Sequence, residues 1–63
     1  MNSKIVKVIE NNGKGIVGKK AIVDMGLGRY RIWEVVNEEG NYITWEGLYA
    51  SVEGAMREIE RVN

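Results

Sequence analysis

The last thirteen residues constrain this chain more than any other stretch. In SVEGAMREIERVN, Val52, Ala55, Met56, Ile59 and Val62 recur at steps of three and four, the spacing that lines one side of an α-helix. Glu53, Arg57, Glu58, Glu60 and Arg61 fall on the other side. Ser51 stands just before the run, where its hydroxyl can accept from an orphan backbone N–H, and Glu53 lies in the first turn, where the helix dipole favours an anion. A lone amphipathic helix cannot hide its own apolar stripe, so residues upstream must cover it.

Those upstream residues have the pattern of short strands. Lys4 to Glu10 is rich in β-branched residues, but its apolar positions 5, 6, 8 and 9 do not alternate strictly, which implies an irregular edge or contact on both faces. Asn11-Asn12-Gly13 supplies a tight turn, and Lys20 to Asp24 is a second strand. Met25-Gly26-Leu27-Gly28 turns the chain into Arg29 to Asn37, the strongest strand. On it Tyr30, Ile32 and Val36 share one face, while Arg29, Arg31, Trp33 and Val35 share the other. Glu38-Glu39-Gly40-Asn41 is a turn, and Tyr42 to Glu46 returns as a fourth strand with Ile43 and Trp45 opposite Tyr42 and Thr44.

The pattern predicts an α+β fold: a three- to four-stranded antiparallel sheet packed in two layers against one C-terminal helix. With 63 residues, the chain is a single domain, 1–63, with no room for a second core. A chain of this size buries only about 60% of its unfolded surface, and its one helix covers one sheet face. The other face stays open. It carries either Trp33 with Arg29 and Arg31, or Tyr30 with Ile32, and an exposed apolar patch on a small protein marks an interaction surface.

Composition narrows the chemistry. Cys and His are both absent, which removes disulfides and the usual soft metal ligands. No apolar run approaches the roughly 18 residues of a membrane span, and charges interrupt the N-terminal MNSKIVKVIE, so a cytoplasmic protein without membrane partners is expected. Gly13 to Gly18 fits G-x-G-x-x-G and, with Lys19, nearly fits the phosphate-cradling loop. Both motifs need a helix to begin there, and the following AIVDMGLG is strand and turn, so no nucleotide or other cofactor is expected. The adjacent carboxylates Glu38 with Glu39, and Glu58 with Glu60, sit in a turn and on a solvated helix side. Nothing groups them with a base or nucleophile, so the expectation is a non-enzyme.

Net charge is zero but divided. Residues 1 to 32 carry seven cations against two carboxylates, for +5, and residues 33 to 63 carry two against seven, for −5. Attraction between strands and helix is one explanation, a basic surface for nucleic acid a second, and head-to-tail pairing of copies a third. The candidate surface is Lys19, Lys20, Arg29, Arg31, Trp33 and Trp45. From Gly28 onward, GRYRIWEVVNEEGNYITWEGLYASVEGAMREIERV resembles the small YegP-like domains of unknown function at Gly28, Tyr30, Gly40, Ile43, Tyr49, Ser51, Ala55, Ile59, Glu60 and Val62. That resemblance implies a sheet-plus-helix fold, often paired with a second copy, and carries over no catalytic residues. Sheet-plus-helix arm-binding domains of integrases share the same element order. The function expected is a binding module working as a homo-oligomer or on a larger protein partner. The alternatives are a nucleic-acid-binding accessory domain and a phage-type inhibitor of a host protein.

Overall fold

The computed structural model describes residues 4–9 and 15–62. Four strands and one helix follow in order: β1 (Lys4–Ile9), β2 (Lys20–Gly26), β3 (Arg29–Val35), β4 (Tyr42–Thr44) and α1 (Val52–Val62). The strands form one antiparallel sheet in the order β1-β2-β3-β4, a plain meander. This is the two-layer α+β arrangement that the hydrophobic pattern predicts. The expected turn at Asn11-Asn12-Gly13 lies outside the described residues.

Register decides which side chains share a face. Ile22 of β2 pairs with Ile32 of β3, and both are fully buried. They join Ala55 and Ile59 of α1 in the core, with Ile9, Tyr30, Trp45, Tyr49, Val52 and Met56 packed around them. Each fully buried Ile contributes about 1.5–3 kcal/mol relative to its exposed state. The helix therefore covers the Tyr30–Ile32 side, and no described element covers the Arg31–Trp33 side. Val62 departs from the expected stripe: it is 58% exposed, because the last helical turn overhangs an open groove instead of a strand.

Local irregularities explain where the strand pattern broke. In β1 the register jumps between Ile5 and Lys7. Val6 is thus an extra residue, and its insertion lets Ile5 and Val8 face one way while Lys7 and Ile9 face the other. A second jump lies between Asp24 and Gly26, where the Asp24 carboxylate accepts from the Gly26 N–H at 2.8 Å. The β2 strand consequently runs two residues further than its composition suggests, and the hairpin closes through Leu27-Gly28 alone. At the other end β3 stops at Val35, not Asn37. Asn37 instead accepts with its side-chain oxygen from the N–H groups of Glu39 and Asn41, fixing the turn to β4.

After Thr44 the chain leaves the ladder but not the sheet. Trp45 N–H donates to the Ile32 carbonyl at 2.8 Å, and Tyr30 and Tyr49 exchange backbone hydrogen bonds at 2.8 and 2.9 Å. This bridge delivers the chain to the helix start, where the Ser51 hydroxyl accepts from Gly54 N–H at 3.0 Å. Ser51 is the expected cap.

Candidate functional site

The uncovered face is built from the residues that alternate with the core. Ile5 and Val8 come from β1, Ala21 and Val23 from β2, Arg31, Trp33 and Val35 from β3, and Tyr42 and Thr44 from β4. Val23 is fully buried among its neighbours, yet Ile5, Val8 and Tyr42 are each about half exposed. Trp33 and Tyr42 are diagonal neighbours across β3 and β4, and their rings stack with centroids 4.5 Å apart and planes 9° from parallel. Ring stacking of this kind adds about 0.5–1.5 kcal/mol beyond area burial. Beside the stack, Ile5, Val8, Ala21, Trp33, Val35 and Tyr42 wall a shallow hollow of about 270 Å³. Its lining is almost wholly apolar.

The six residues singled out in the sequence do not all meet here. Arg31 and Trp33 lie on the open face, and Lys19 stands at the hollow's margin. Arg29 is exposed at the hairpin end of the same face. Lys20 also borders the hollow, but its ammonium donates to the Gly18 carbonyl at 2.9 Å. Trp45 is on the opposite side of the sheet. Its indole N–H donates to the Glu34 carboxylate at 2.8 Å and its ring packs against the core. The surface thus substitutes Tyr42, Ile5 and Val8 for Trp45. Tyr42 was within reach of the alternation argument, since it opposes Ile43 and Trp45 on β4. Placing Ile5 and Val8 together required the Val6 bulge.

The charges separate across the sheet. Arg29 and Arg31 are on the open side, whereas Glu53, Glu58 and Glu60 belong to the helix on the other. The helix contains its own ion pair, Glu58 with Arg61, in which Arg61 Nε donates to the carboxylate at 3.1 Å. That hydrogen bond holds the Glu58 carboxyl below its ordinary value.

A second depression lies beside the end of the helix. About 350 Å³ in volume, it is bordered by Trp45, Gly47, Tyr49 and the Glu58–Arg61 pair. The Tyr49 hydroxyl rests against Gly47, where a Cβ would come within 3.0 Å of the ring carbon Cε2 and nearer still to the hydroxyl. Burial, and then the Glu58 carboxylate, push the Tyr49 phenol above its ordinary value of 10.0, with Arg61 opposing. This groove is wide, and the Glu58 and Arg61 charges on its rim already satisfy each other. Among the described residues no group of three or more His, Cys, Asp or Glu could hold a metal ion, and no helix is long and apolar enough to cross a membrane.

No protein-family model, curated protein or solved structure matches this chain.

Proposed function

We propose that this chain is a non-enzymatic binding module that docks on protein through its uncovered sheet face, either a second copy of itself or a larger partner. The observation that carries this reading is the apolar hollow beside the Trp33–Tyr42 stack, flanked by half-exposed Ile5 and Val8. Apolar surface grouped in this way loses about 25 cal/mol for every Å² left in water, and a partner removes that cost. The resemblance to domains that pair with a second copy supports the same reading. A stoichiometric protein complex that survives high salt and is lost in Val8→Asp and Tyr42→Asp is the expected result. A complex indifferent to both substitutions would overturn it.

One observation favours a second reading. The stacked aromatic pair shares its face with Arg31, Arg29 and Lys19, and aromatic rings with cations on a sheet can stack bases and neutralise phosphates. Nucleic-acid binding of this kind weakens steeply as salt rises, whereas docking through the hollow does not. A gel-shift titration at two salt concentrations separates them.

A further inference from the structure

The tip of the β2–β3 hairpin holds an unusual residue. Leu27 is 99% exposed and has φ of 58°, in the left-handed region that non-glycine residues avoid. Gly26 and Gly28 beside it have φ of 90° and 71°. Positive φ at both loop positions is the two-residue turn that matches strand twist, and Asn, Asp or Gly ordinarily occupies its first place. Glycine or a short polar residue there would avoid the backbone strain that a branched residue carries. A branched apolar chain instead is strained and fully hydrated together. Within the single chain Leu27 gains nothing from its position.

We infer that Leu27 is a knob that fills the hollow on the uncovered face of a second copy. The inference rests on the docking role proposed for that face and names its occupant. A single projecting apolar side chain needs a concave apolar receptor, and the hollow walled by Ile5, Val8, Ala21, Trp33, Val35 and Tyr42 has room for it. Placement along the strands agrees. Tip and hollow both lie on the line between β2 and β3, at opposite ends, with Ala21 and Leu27 about 20 Å apart at about 3.3 Å per residue. Two copies laid face to face, with strands reversed by a two-fold axis over Val23 and Arg31, bring each tip to the other's hollow. The contact is reciprocal, so it closes at two copies.

Area sets its strength. Four strands of six, seven, seven and three residues, about 4.8 Å apart, offer a face of about 360 Å², less than half of what each partner contributes to a standard interface. The pair is therefore weak and concentration-dependent, and the two knobs supply much of its affinity. The axis also brings the two Arg31 side chains near each other, so salt strengthens association by screening them.

Sedimentation equilibrium on the full chain, from micromolar to millimolar concentration, tests this directly. The mass is expected to rise from 7.1 kDa toward twice that value, and further in high salt. Leu27→Gly should weaken association at least about tenfold while its thermal midpoint stays equal or rises, since glycine accepts the left-handed backbone. Ala21→Leu, which raises the floor of the hollow and leaves the tip intact, should weaken it similarly. A wild-type chain that stays at 7.1 kDa throughout overturns the inference. So does a Leu27→Gly dimer as tight as wild type, or a dimer that salt dissolves. In each of those cases loss of a complex in Val8→Asp still reports separately on the docking face.

Discussion

The two faces of the sheet are made by the same strands, residue against alternate residue, yet they end in opposite states. On one side Ile22 and Ile32 are sealed under Ala55 and Ile59. On the other side, Trp33, Val35 and Tyr42 present comparable apolar bulk, and no described element lies above them, only a margin of cations. The strands therefore do not decide which face becomes core. The helix decides, and its entry is fixed by the Tyr30–Tyr49 bridge and the Ser51 cap, which set it down on the Tyr30–Ile32 side. Apolar content alone does not identify a core in a domain too small to cover both sides. The connection into the covering element does.

The sharpest way to break this contrast is to place the same charge on each face. Ile59→Asp should cost about 4 kcal/mol or more by burying an unpaired carboxylate, enough to abolish the fold of so small a domain. Val8→Asp, at a position 48% exposed, should cost no more than about 1 kcal/mol. Chemical denaturation followed by circular dichroism measures both, and equal losses would mean the open face is also core. A smaller effect tests the element that chooses the face. Gly47→Ala forces a methyl group against the Tyr49 ring and should cost about 1–3 kcal/mol. A thermal midpoint unchanged from wild type would show that the ring is not held there. The smallest effect is electrostatic. The fold favours the neutral Tyr49 phenol, so its contribution is intact below pH about 10 and is lost as pH rises beyond that. Tyr49→Phe should therefore lose stability less steeply than wild type in alkaline solution, and parallel curves from the two proteins would remove Tyr49 from the account.

The elements were legible because their periods differ. Steps of three and four from Val52 to Ile59 specify a helix, and alternation from Arg29 to Val35 specifies a strand, with little else able to satisfy either. The β1 run was less legible, because an irregular edge and contact on both faces fit residues 5, 6, 8 and 9 equally well, and only pairing with β2 shows Val6 to be the surplus one. Which face stays open was not legible at all. Tyr30 with Ile32 and Trp33 with Val35 are equally good candidates until the Tyr49 bridge is seen. Trp45 shows the same gap at the site: its indole is drawn to the core side by the Glu34 carboxylate, a partner eleven residues away that no spacing rule connects to it. Leu27 was visible in the sequence as an apolar residue between glycines, but its left-handed backbone emerges only from the hairpin geometry.

The surplus Val6 has an effect on company as well as on packing. By displacing the outer strand at mid-length, between Lys4 and Lys7, it spoils the straight row of donors and acceptors that a neighbouring chain would need to extend the sheet sideways. Growth edge to edge, the route to fibres, is thereby discouraged at β1.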